Sequence, residues 1–137
     1  MTKTLMIVAE MAAINWVLLV TASLVRAKAW HPARLLWAMG NREDATDSEG
    51  FARRTDRAAM NMLENVVLFA ALALVATVGG VTDPNVELGA RLFFWARIAY
   101  IPIYMVGVPV ARTAAWALGV VGMAMIFVAI VQASPGV

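Results

Sequence analysis

Arg57, Asn61 and Glu64 stand four and three residues apart, so on a helix turning about 100° per residue they share one narrow stripe. Arg97, Tyr100 and Tyr104 repeat the arrangement at three and four. Two such polar faces inside apolar surroundings point to one shared hydrated pocket. In hydrocarbon an ionised side chain costs at least about 2.5 to 3.5 kcal/mol, so each of these groups requires a partner or a wet cavity. The plainer alternative is an interhelical network in which Glu64 neutralises an arginine while the amide and phenols complete the hydrogen bonds. Arg57, Arg97 and Arg112 outnumber Glu64, however, and that surplus positive charge favours an anionic ligand. Glu10 is expected to supply part of the countercharge.

Long apolar elements must hold these groups. Hydrophobic residues make up 62% of the 137-residue chain and charged residues 15%, well away from an ordinary soluble domain. Residues 11–25, 65–82 and 113–137 contain no Asp, Glu, Lys or Arg, and each approaches or exceeds the run of about 20 that crosses a bilayer as helix. The pattern predicts an all-α membrane protein, a single domain over residues 1–137 with transmembrane helices at about 4–25, 57–80, 88–108 and 112–133. Glu10 and the three later spans argue against reading the first span as a cleaved signal. Short connections favour antiparallel neighbours, hence a four-helix up-down-up-down bundle. The one long connection, about residues 26–56, carries most of the basic residues, so it is expected on the cytoplasmic side with both termini away from the cytoplasm. A bacterial inner membrane is the expected location.

Other features narrow the chemistry. Without cysteine there is no thiolate metal site and no cysteine nucleophile, so any thiol must come with a ligand. The lone His31 makes no metal centre, and no metal is expected. Asp44, Asp47 and Glu49 read as a solvated loop cluster, Trp95 and Trp116 as interfacial anchors, and Pro102 as a packing kink in the third span. A net charge of +2 is too small for nucleic acid binding.

The segment Arg57-Ala58-Ala59-Met60-Asn61-Met62-Leu63-Glu64 resembles the Arg-Ala-x-x-Asn-x-x-Glu signature of the MAPEG family, the membrane-associated proteins in eicosanoid and glutathione metabolism. Asn41-Arg42-Glu43-Asp44 is similar to the family's Asn-Pro-Glu-Asp loop. Ala96-Arg97-Ile98-Ala99-Tyr100 followed by Tyr104, and Gly107-Val108-Pro109-Val110-Ala111-Arg112-Thr113, resemble its third helix and the start of its fourth. The resemblance implies a homotrimer binding glutathione between subunits near the cytoplasmic helix ends. It further implies that Arg57, Asn61 and Glu64 hold the tripeptide, that Tyr100 and Tyr104 line the pocket, that Arg97 supports it and that Asp44 is a loop contact. Arg112 would stabilise the glutathione thiolate, with the Thr113 hydroxyl beside it; a cation near sulfur lowers a thiol pKa from about 8.5 toward neutrality. Ala59 and Tyr100 depart from residues found in several relatives, which weakens any transfer of a particular eicosanoid substrate.

The expected function is therefore a glutathione transferase or peroxidase acting on lipophilic electrophiles that arrive from membrane lipid. One alternative is a non-enzymatic lipid-binding protein of the same fold. Another is a small four-helix multidrug transporter coupled to protons through Glu10, although buried arginines would repel cationic drugs.

Overall fold

The computed structural model describes residues 1–28 and 50–134. These form four helices and no strand: α1 (Lys3–Ala27), α2 (Phe51–Val78), α3 (Pro84–Val106) and α4 (Pro109–Ala133). Even the shortest, α3 with 23 residues, extends about 34 Å at 1.5 Å per residue, enough for a hydrocarbon core of about 30 Å. α1, α2 and α4 are long and apolar enough to cross a membrane. α3 is less apolar because Arg91 and Arg97 lie within it. A short interfacial helix, which the sequence of residues 33–39 also allows, lies outside the described residues.

Local chemistry sets where each helix begins. The Thr2 hydroxyl accepts the Leu5 N–H at 3.2 Å to cap α1. Asp83 accepts the Asn85 N–H at 2.7 Å and Pro84 opens α3, an acidic cap followed by a residue that has no N–H to leave unsatisfied. Three helices therefore start earlier than their apolar runs. α2 begins at Phe51 instead of near Arg57, α3 at Pro84 instead of near Leu88, and α4 at Pro109 instead of near Arg112. Charged and proline residues hide a helix start when hydropathy alone marks it, because helical geometry tolerates them in the first turns.

Contacts between helix ends show the topology. Arg26 at the end of α1 pairs with Asp56 at the start of α2 (3.4 Å). Arg54 Nε donates to the Met105 carbonyl at the end of α3 (3.2 Å). At the opposite end, Lys3 reaches Glu87 in the first turn of α3 (3.2 Å). Successive helices are thus antiparallel, and the starts of α2 and α4 share one end of the bundle. Gly107 adopts the left-handed conformation (φ 85°) that turns α3 directly into α4.

Small residues bring the helices together. On α4 the buried positions are Ala115, Gly119, Gly122, Ile126 and Ala129, a stripe spaced four, three, four and three. Lipid removes most of the hydrophobic drive for helix association, so close backbone approach and dispersion must supply it. α3 and α4 meet where Gly89 faces Gly122: a Cβ on either would lie 2.5 Å from the other's carbonyl oxygen. Beside this contact, Phe69 of α2 stacks on Phe93 of α3, ring centroids 4.2 Å apart.

Gly122→Ala is expected to lower the melting temperature in detergent by an amount equivalent to about 1 to 3 kcal/mol, since backbone must move to admit the methyl. Ala117→Val, on the exposed face of the same helix, should change it by no more than about 0.5 kcal/mol. Equal melting of the two variants would rule out a backbone contact at Gly122.

Candidate functional site

At the end shared by the starts of α2 and α4 lies a cleft of about 640 Å³, within the range of about 300 to 1,000 Å³ usual for small-molecule sites. α2 contributes Asp56, Arg57, Met60, Asn61 and Glu64; α3 contributes Tyr100 and Tyr104; α4 contributes Arg112, Thr113 and Trp116. The early start of α4 puts Arg112 in its first turns, across the two-residue connection from the end of α3. Its guanidinium carbon sits 4.9 Å from the Tyr104 ring centroid. Tyr104 in turn packs at 5.4 Å against Tyr100.

Seven residues singled out from the sequence therefore meet in one cleft: Arg57, Asn61, Glu64, Tyr100, Tyr104, Arg112 and Thr113. Arg97 does not line it. The side chain is fully buried behind the cleft wall, where Nη1 donates to Asn61 Oδ1 (3.3 Å) and Nη2 to Asn65 Oδ1 (2.7 Å). Its guanidinium carbon lies 5.2 Å and 5.4 Å from the ring centroids of Phe93 and Tyr100. Gly119 makes room on the α4 side, where a Cβ would come within 3.1 Å of Arg97 Nε and Nη2. Asp44 lies outside the described residues.

Several electrostatic expectations need correcting. The plainer alternative had Glu64 neutralising an arginine, but the ion pairs among the described residues are Lys3–Glu87, Arg91–Glu87 and Arg26–Asp56. The buried arginine is met by neutral amides. Nor does Glu10 supply countercharge to the cleft, because it is exposed and sits near the opposite end of α1. The 16 residues from Glu10 to Arg26 correspond to about 24 Å along the helix. The cleft itself is mixed in charge, with Glu64 and the Arg26-paired Asp56 alongside Arg57 and Arg112, and Arg97 adds a further positive charge behind the wall. The Thr113 hydroxyl donates to the Pro109 carbonyl (3.0 Å), which leaves its oxygen as an acceptor toward the cleft.

Sequence reasoning did not single out Asp56, Met60, Asn65 or Gly119, and it took Trp116 for an interfacial anchor. Periodicity could have found three of these. Asn65 falls one turn after Asn61, Met60 one residue short of a turn after Arg57, and Trp116 one turn after Arg112. Gly119 continues that spacing three residues after Trp116, but there it reads as a packing position, and only the neighbouring guanidinium gives it meaning at the site.

The opposite end holds a smaller cleft of about 410 Å³, where Lys3 and Glu87 already satisfy one another. The sequence model of the MAPEG family matches residues 4–132, nearly the whole chain. Neither curated proteins nor solved structures yield a match.

Two buried amides should behave in opposite ways. Asn65→Ala removes the closest acceptor from a buried cation and is expected to cost about 1.5 to 3 kcal/mol of stability, read as a lower melting temperature in detergent. Asn15→Leu on α1 removes an amide whose Oδ1 is buried without a partner, and is expected to be neutral or stabilising. A comparable loss in both variants would refute the role given to the Asn65 acceptor.

Proposed function

The chain belongs to the MAPEG family, membrane proteins of eicosanoid and glutathione metabolism in general, and from that premise we propose a glutathione-dependent transferase or peroxidase acting on lipophilic electrophiles. The observation that carries the proposal is the mixed charge of the cleft, Arg57 and Arg112 together with Asp56 and Glu64, with amide and phenol groups between them. Glutathione is a zwitterionic tripeptide with two carboxylates and one ammonium. A site with both signs suits it better than a purely cationic one, because each of its charges must be compensated when it leaves water.

The residues present fit that ligand. Arg57 and Glu64 make no ion pair with each other or with any described residue, so both are available to ligand charges of opposite sign. When bound, glutathione would supply the sulfur that adds to an electrophile or reduces a hydroperoxide. Arg112 is the candidate for holding that sulfur as thiolate, since a half-buried cation favours the charged form. Tyr104 packs against the guanidinium and limits its movement. Thr113 offers an acceptor and a small dipole, its proton being committed to Pro109. Met60 and Trp116, both substantially exposed, would form the apolar wall where a lipid-borne substrate docks.

Further parts of the proposal rest on the same end of the bundle. Arg57 and Glu64 are exposed in the single chain, and a neighbouring copy in a homotrimer would cover them and enclose the ligand. Arg26, Lys28, Arg53, Arg54, Arg57 and Arg112 all lie at the cleft end, against Lys3 and Arg91 toward the other. By the positive-inside rule the cleft would face the cytoplasm and both termini the other side, in a bacterial inner membrane. Residues 1–137 would act as one membrane domain. The second reading, ligand binding without chemistry, draws on the Thr113 hydroxyl having spent its proton on backbone.

Glutathione added to the detergent-solubilised protein is expected to develop thiolate ultraviolet absorbance as pH rises through about 7, and Arg112→Ala to move that transition toward about 8.5. Binding with an unshifted thiol in the intact protein would support the non-catalytic reading, and no binding would remove the proposal.

A further inference from the structure

The wall between Arg97 and the cleft is one amide thick, and that amide has a fixed polarity. Asn61 Oδ1 accepts from Arg97 Nη1 at 3.3 Å and lies 3.5 Å from Asn65 Nδ2. A guanidinium carries donors only, so the oxygen of Asn61, and never its NH2, must face Arg97. Asn65 cannot relieve the constraint. Its Oδ1 takes the second Arg97 donor at 2.7 Å and its Nδ2 is used on the Asn61 backbone carbonyl at 2.8 Å. Arg97 is itself held by the rings of Phe93 and Tyr100 and by the space at Gly119.

We propose that Arg97 is a positioning residue: it orients the Asn61 amide so that the cleft meets its N–H groups alone, making residue 61 a selector for a carbonyl or carboxylate oxygen on the ligand. Among the described residues nothing accepts from Asn61 Nδ2, so the donor is left for a ligand. Glu64, one turn along the same stripe, offers the reverse polarity. The pair therefore gives a zwitterion one direction along α2, with an acceptor group over Asn61 and an ammonium toward Glu64. As to which ligand supplies that oxygen, the inference rests on the glutathione reading; the orientation of the amide does not.

Full-length protein in detergent, as wild type, Asn61→Asp and Arg97→Gln, separates the two. Asn61→Asp keeps an oxygen against Arg97 and turns a neutral contact into an ion pair, so its melting temperature is expected to equal or exceed that of the wild type, while glutathione affinity by calorimetry falls about 10- to 100-fold. Arg97→Gln is expected to weaken glutathione through loss of amide orientation. The analogues γ-glutamylcysteine, glutathione monoethyl ester and glutathione C-terminal amide each remove or alter an acceptor. One of them should lose about tenfold or more against glutathione in the wild type, and that difference should vanish in both variants. Wild-type affinity in Asn61→Asp, or an analogue penalty that persists unchanged in Arg97→Gln, would overturn the positioning role. A lower melting temperature in Asn61→Asp would overturn the orientation of the amide whatever the ligand. Absence of glutathione binding by the wild type would instead sink the proposed function, with the melting comparison still deciding the orientation.

Discussion

Arg97 has no exposed surface, and no carboxylate pairs with it among the described residues. Such a cation is tolerable only if its donors and its charge are met some other way. Two amide oxygens and two ring faces do this, and Nε goes without a hydrogen-bond acceptor. Each compensation is a demand on a different helix. α2 must carry asparagine at 61 and 65, a turn apart; α3 must place Phe93 and Tyr100 one turn to either side of the arginine; α4 must present no side chain at 119. The guanidinium thus ties three helices at one depth, directly behind the cleft.

Backbone contacts hold the same three helices at other depths. Gly89 and Gly122 bring α3 and α4 together deeper in the bundle, while the left-handed Gly107 and the immediate restart at Pro109 join them at the cleft end. Arg54 reaches from α2 to the Met105 carbonyl, a group that has no partner within α3's own last turn. Between these fixed points the positions of Tyr104 and Arg112 follow from backbone geometry, and little is left to side-chain adjustment. A site framed in this way exists before a ligand arrives, and the ordering it would otherwise cost on binding has been met in folding.

Much of this is visible in the sequence because helical spacing is itself geometry. Arg57, Asn61 and Glu64 had to share a stripe once residues 51–78 were helical, and so did Tyr100 and Tyr104 on α3. Arg97 misled for a physical reason: a buried cation is ordinarily matched with a carboxylate, and sequence does not say that two amides and two rings will stand in for one. Glu10 misled because residue type says nothing about depth, and about 24 Å of helix separates it from Arg26 at the cleft end of α1. The cleft's mixed charge was missed with Asp56, which lay in what read as a loop until α2 was seen to begin at Phe51. Helix starts were the weakest part throughout, since hydropathy marks where lipid begins and helical hydrogen bonding begins earlier.

The order of groups around the cleft also limits what chemistry it can support. Asp56 and Arg57 lie in the early turns of α2, toward the charged end, whereas Met60 and Trp116 are exposed apolar groups farther along their helices. Charged groups thus border the cleft toward its helix ends, and apolar groups border it farther in. Arg112 lies at the boundary, one helical turn or about 6 Å before Trp116 on α4. A cation there can stabilise an anion at the meeting point of the two phases, where a lower dielectric strengthens the interaction and water competes less for the charge. Moved one turn outward, the same arginine would be solvated and its charge screened; moved one turn inward, it would become a second buried cation needing its own amides and rings, as Arg97 does. The restart of α4 at Pro109, set by Gly107, is therefore the structural reason that the cation at position 112 sits half-buried at this boundary.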